Sequence, residues 1–218
     1  VAMGYNALAA NTTATYNTGI GFRAGQSVTT GTQNTLIGGL AGDALTVAFY
    51  NTAVGFAALS NDLKGVGSTA IGHGALTAQQ FGASTNAYNT AVGLSAGAAV
   101  TTGTAQVLIG ALAGDAITDA DYNVVVGVGA LTNDTRGSRT VAIGHQALST
   151  QNFISATNTY NVAVGYDAGG AVTTGTQNTF IGSLSGDANT TASNNTALGY
   201  SSLGANTTGS LNVATGGY

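Results

Sequence analysis

Cysteine, proline, tryptophan and glutamate are all missing from the sequence, and lysine plus arginine number only four. Without cysteine there is neither a disulfide nor a thiolate metal site, and the redox compartment stays open. Four cations cannot neutralise a run of phosphates, so nucleic acid is not an expected partner. No stretch approaches the roughly 18 consecutive apolar residues of a membrane-spanning helix, so insertion into a bilayer is not expected either. The chain opens at Val1 without a basic segment leading into an apolar one, and no targeting segment is expected from it. Charged residues are also scarce, at 6% against 44% hydrophobic, and the net charge is only -4. Disorder normally needs the reverse balance, so this chain is expected to fold.

Glycine, by contrast, occurs 34 times, and its placement is periodic. A glycine preceded by two or three apolar residues recurs at Gly4, Gly21, Gly38, Gly55, Gly72, Gly93, Gly110, Gly127, Gly144, Gly165, Gly182, Gly199 and Gly216. These glycines mark out 17-residue units, except that Gly72 to Gly93 and Gly144 to Gly165 each carry a four-residue insertion. Because both insertions fall at one phase, the units group by fours into a 72-residue super-repeat. Residues 17–88, 89–160 and 161–218 are successive copies, with a partial copy at 1–16. The expectation is a single repeat array over 1–218, a fragment of a longer fibre protein, since both ends fall inside a unit.

Each position in the unit has its own physical logic. Thr or Val stands three before the glycine and, in most units, Ile or Val one before, as in Thr35 and Ile37 or Thr52 and Val54. Positions two apart share a face of a strand and β-branched residues suit it, so a short strand is expected with this Ile/Val stripe inward. A mostly small residue lies between them, such as Ala53, Ala70 or Ala91, on a second face that another sheet or chain can approach closely. The glycine then permits a corner. At the fourth position beyond it stands either Leu (Leu59, Leu76) or Gly (Gly25, Gly42), in pairs, so successive coils differ in cross-section by a fixed rule. The remainder, such as residues 60–67, reads as a polar loop.

No 3.6-residue period survives, and one 17-residue unit cannot bury its own apolar face. The expected fold is therefore all-β, a parallel β-solenoid or β-roll of about thirteen coils; at roughly 4.8 Å per coil this gives a rod of about 60 Å. Asn stands four before the glycine in nine of the twelve units that include the position, among them Asn17, Asn34, Asn51 and Asn89, and is expected to form a ladder. Tyr16, Tyr50, Tyr88, Tyr122 and Tyr160 precede that asparagine in alternate units. Their rings suit either a coil edge or chain interface, or a rail on which sugar rings stack.

The segments YNTAVGFAAL (50–59), STAIGHGAL (68–76) and YNTAVGLSAG (88–97) resemble the NTAIGxxAL-type repeats of phage tail-fibre and bacterial surface proteins. More loosely they are similar to the SVAIG repeats of trimeric autotransporter adhesin heads. The resemblance spans essentially the whole chain. It implies an intertwined or side-by-side homotrimer of β-rolls, extracellular, displayed on a virion or cell surface.

Motifs that would point to an enzyme dissolve into the repeat. Gly93 to Gly97 matches GxSxG, but one super-repeat to either side Ser95 is replaced by Arg23 and Asp167. His73 and His145 are the only histidines and lie four coils apart, too far to share a metal within one chain, so both are expected to face solvent. Asp43, Asp115 and Asp187 recur at one phase and suit turn capping. Asp115, Asp119 and Asp121 form the densest acidic cluster, without the repeat pattern of a calcium-binding β-helix. Asp62 with Lys64, and Asp134 with Arg136, are expected as exposed ion pairs. Lys64 lies in no phosphate-binding loop. No catalytic constellation and no cofactor or metal site is expected. The expected function is structural, a fibre shaft that extends and rigidifies a tip. The alternatives are an adhesin head that binds host glycan or matrix, and an ice-binding solenoid built on the Thr-rich runs at 28–35 and 172–179.

Overall fold

The computed structural model describes residues 1–217. Among these residues there is no helix, and thirteen short strands from Ala2–Met3 to Val213–Thr215 line up in one parallel sheet in chain order. Each strand pairs with its counterpart one unit along: Thr35 lies opposite Thr52, Leu36 opposite Ala53 and Ile37 opposite Val54. Across an insertion the partner is displaced by the extra positions, as with Thr69 and Thr90, and the register is kept. The inserted segments form a second, two-stranded parallel pairing in each of the first two super-repeats, Gly65–Val66 with Thr85–Asn86 and Gly137–Ser138 with Thr157–Asn158. Phe81 and Phe153 anchor these insertions inward, while residues 82–84 and 154–156 stand out from the rod. The chain is thus a β-solenoid of about thirteen turns.

Corner geometry explains the glycine period. Gly55 has φ +134, and a Cβ there would lie 2.5 Å from the carbonyl oxygen of Gly72 in the next coil. Only a residue without a side chain lets two corners stack at strand spacing. Tighter bends follow at the second and fourth positions after it and recur at the tyrosine position, all with left-handed φ. Among the described residues, 27 non-glycine residues take positive φ, and not one of them is Val, Ile or Thr, the types that tolerate it least.

The strand faces are reversed relative to the sequence expectation. Leu36, Ala53, Ala70, Ala91 and Leu108, the middle residues of their strands, are fully buried inside the coil. The Ile/Val stripe lies on the outer face instead, with Ile71, Ile109 and Ile181 each 38–39% exposed. A period of two is preserved, but both faces here are apolar, so alternation alone could not orient the strand. Volume decides: the narrow interior takes Ala53 and Ala70 where a leucine fills the coil from the other side, and Leu36 and Leu108 where a glycine leaves room.

The Leu/Gly rule is volume complementarity within that interior. A Cβ on Gly25 would lie 2.6 Å from Leu36 Cδ1 and 2.8 Å from Leu8 Cδ2, and one on Gly42 would lie 2.7 Å from Leu45 Cδ1. Five of the six coils with glycine at this position place an apolar residue three positions later, such as Val28 or Leu45, and the sixth, at Gly186, places Asn189. Coils with leucine, Leu59 or Leu76, place a polar Asp62 or Gln79 there.

Candidate functional site

Three lengthwise features run along the rod, each made of one side-chain position repeated coil by coil. The first is the buried asparagine spine. Asn34 donates Nδ2 to Ala48 O at 2.9 Å, and its Oδ1 accepts the N–H of Asn51 at 3.0 Å. The same pair of bonds recurs at Asn51, Asn123 and Asn178. The ladder is thus real, but it runs mainly from side chain to backbone rather than amide to amide. Each asparagine satisfies a strand-entry N–H and a loop carbonyl that would otherwise be buried unpaired.

Ser68 and Thr140 interrupt the spine at the insertion coils, where a glutamine fills the gap. Gln79 donates Nε2 to Asp62 Oδ2 at 2.7 Å and to Ser68 Oγ at 3.0 Å, while its Oε1 accepts Nδ2 of Asn89 at 2.9 Å. Asp62 Oδ1 also takes the N–H groups of Gly65 and Phe81, both at 3.1 Å. An equivalent cluster of Asp134, Gln151, Thr140 and Asn161 occupies the next super-repeat. The exposed ion pairs expected at these aspartates are therefore absent among the described residues. Asp62 and Asp134 are fully buried, and Arg136 pairs with Asp119 at 3.2 Å instead. Neighbours in sequence point apart here, because each aspartate turns in to hold the loop.

The second feature is the outer face of the sheet: the Thr/Val column, the Ile/Val column, and the residue just after each corner glycine. That last column was not singled out from the sequence, although its large residues were visible at one phase. It carries Tyr5, Phe22, Phe56, Leu94, Val128 and Tyr166, each at least half exposed. The two histidines belong to it and face solvent as expected. His73 stacks on Phe56 at 5.5 Å between centroids, and His145 on Tyr166 at 5.5 Å.

The third feature is the tyrosine row in alternate coils, all five rings 51–85% exposed. Arg139 sits over the Tyr122 ring, 5.1 Å from its centroid.

The remaining candidates are dispersed. Ser95 occupies a left-handed corner position with φ +53. Asp115 accepts the hydroxyl of Thr132, Asp119 pairs with Arg136, and Asp121 accepts the N–H and hydroxyl of Thr104, so the acidic cluster is divided among separate partners. No set of three or more potential metal ligands converges among the described residues. The aspartates expected to cap turns share no common capping bond. Asp43 faces its own backbone N–H and lies near Arg23, Asp115 reaches across to the next coil, and Oδ1 of Asp187 is buried without a partner. Burial raises the carboxyl of Asp43 above its ordinary value against the pull of Arg23. Asp167 is raised by burial and then by the like charge of Asp187, with His145 opposing.

In the threonine-rich loops a further ladder emerges. Thr29, Thr46, Thr101, Thr118, Thr173 and Thr190 each donate the hydroxyl to a carbonyl of the next coil at 3.0–3.3 Å. These hydroxyls serve the stack itself. Comparison with protein-family models, with curated proteins and with solved structures returns no match.

Proposed function

We propose that the chain is a structural fibre segment, the shaft of a phage tail fibre or other extracellular appendage, in which three copies lie side by side and stiffen the support of a tip. In this reading it has no catalytic role. The observation that carries it is the outer sheet face. The Thr/Val and Ile/Val columns stay partly exposed along the stack, and beside them Tyr5, Phe22, Phe56, Leu94, Val128 and Tyr166 are each at least half exposed, where an isolated soluble rod would carry charge. The face measures roughly 60 Å by 13 Å, about 800 Å² per chain, the per-partner area of a standard stable interface. The resemblance of 50–59, 68–76 and 88–97 to tail-fibre and adhesin-head repeats points the same way.

Sedimentation equilibrium tests the proposal. The expected mass is three times the 21.2 kDa of one chain. Ile71→Asp combined with Ile109→Asp should leave the β-rich circular dichroism intact, because both positions lie outside the coil, while reducing the mass to one chain. A parent chain that stays monomeric at micromolar concentration would refute the side-by-side fibre.

A further inference from the structure

We propose that the tyrosine row is a binding rail for an extended β-1,4-linked hexose polysaccharide lying along the rod. Tyr16, Tyr50, Tyr88, Tyr122 and Tyr160 each stand one residue ahead of the buried spine, and the strand register places them in every second coil. Successive rings are thus separated by two strand spacings, roughly 9.6 Å.

That separation distinguishes this row from the column after the corner glycine. There, rings in adjacent coils stack on one another, Tyr5 on Phe22 at 5.6 Å and His145 on Tyr166 at 5.5 Å, and so cover each other's faces. Ring pairs interact only within about 7 Å, so the tyrosines of the row cannot stack on each other; Phe49 lies beside Tyr50 at 6.3 Å, tilted by 45°, and Arg139 covers one face of Tyr122, yet every one of the five residues stays at least half exposed. None of the five hydroxyls is hydrogen-bonded within the chain among the described residues. The intervening positions are Gln33, an exposed neutral amide, the small Gly67 and Ala105, and Arg139 between Tyr122 and Tyr160. Arg139, over Tyr122, also hydrogen-bonds Asn158.

In a β-1,4-linked hexose chain each sugar is flipped relative to the last. The same ring face therefore returns at every second sugar, at a rise close to two strand spacings. Every second pyranose can lay its C–H face on a tyrosine while its equatorial hydroxyls meet the amides and phenols beside it. Polyanions are disfavoured by the net charge of -4. A polyproline II peptide has a similar repeat, about 9.3 Å per turn, but such peptides dock into aromatic-lined grooves, whereas rings this exposed form a ridge. The rail requires nothing of the number of chains in the assembly, provided the row stays uncovered.

Titration of the full chain with oligomers of β-1,4-linked glucose and N-acetylglucosamine, read by tyrosine fluorescence and calorimetry, tests the rail. Affinity should rise at least threefold with each added disaccharide up to the hexamer, and an α-1,4-linked glucose hexamer and decaproline should bind far more weakly. Every window of three consecutive tyrosines includes Tyr88. Tyr88→Asn, which suits the left-handed backbone, should therefore lower hexamer affinity about tenfold at unchanged circular dichroism. Tyr88→Phe should keep it within threefold, and Tyr166→Ala should leave it unchanged. Absence of binding by any β-linked oligomer, equal binding of the α-linked hexamer, preference for decaproline, or indifference to Tyr88→Asn would each overturn the assignment.

Discussion

Two neighbouring positions, Gly55 and Ala57, show how differently the same corner treats a methyl group. At Gly55 an added Cβ meets the carbonyl of Gly72 at 2.5 Å, which neither backbone can relieve without breaking the stack. Gly55→Ala is expected to destabilise by about 3 kcal/mol or more. At Ala57 the methyl is already present on a backbone with φ +54, a conformation that disfavours any Cβ. Ala57→Gly is expected to stabilise by about 1 kcal/mol. Opposite shifts of the thermal midpoint would confirm both. Asp167 provides a pH-dependent test at this scale. Its carboxyl is raised from 3.8 by burial and by Asp187. Its stabilising contribution is therefore present at acid pH and lost as pH rises through the elevated value. Asp167→Asn escapes that loss, so the variant's midpoint minus the parent's should grow as pH rises from about 4 towards neutrality and stay flat below. A difference that shrinks over this range would contradict the assigned cause.

At the scale of the coil, the polar clusters hold the places where the spine lapses. Asp62 answers two backbone N–H groups and one glutamine amide in a dry interior. Asp62→Ala leaves both N–H groups unpaired and the glutamine amide with Ser68 alone, and is expected to cost about 3 kcal/mol, whereas Asp62→Asn keeps an oxygen for the backbone donors and should cost about 1 kcal/mol. Urea titration distinguishes the two. The period, the strand, the corner and the asparagine spine were all legible in the sequence because each is a property of one position repeated many times. The orientation of the strand was not, since Ala53 and Val54 are both apolar and only the volume inside the closed coil decides which turns in. The buried role of Asp62 escaped as well. Its partner Gln79 lies a whole coil away, and the nearby Lys64 offered a simpler reading by proximity. Of the two exposed features, the tyrosine row was visible as a sequence pattern. The outer face emerged only when the strand proved reversed.

For the whole molecule, each coil touches only its neighbours, so stability is a sum of local terms. Leu59 and Leu131 occupy equivalent coils of successive super-repeats and are both fully buried. Leu59→Ala and Leu131→Ala should each cost about 2–5 kcal/mol, nearly the same amount, and the double variant should be additive within about 0.5 kcal/mol. Unequal or strongly coupled losses, measured by denaturant unfolding, would mean that the stack has non-local terms.

Keeping register across both insertions has a practical corollary for length. Residues 17 and 89 begin identical stretches of the path, as do 89 and 161, so excising 89–160 joins surfaces already shaped for each other. The product would be the same rod about 19 Å shorter, with every remaining seam native in kind. Duplication would lengthen it by the same step. Reach in such a molecule is an adjustable quantity, counted in whole super-repeats and independent of cross-section.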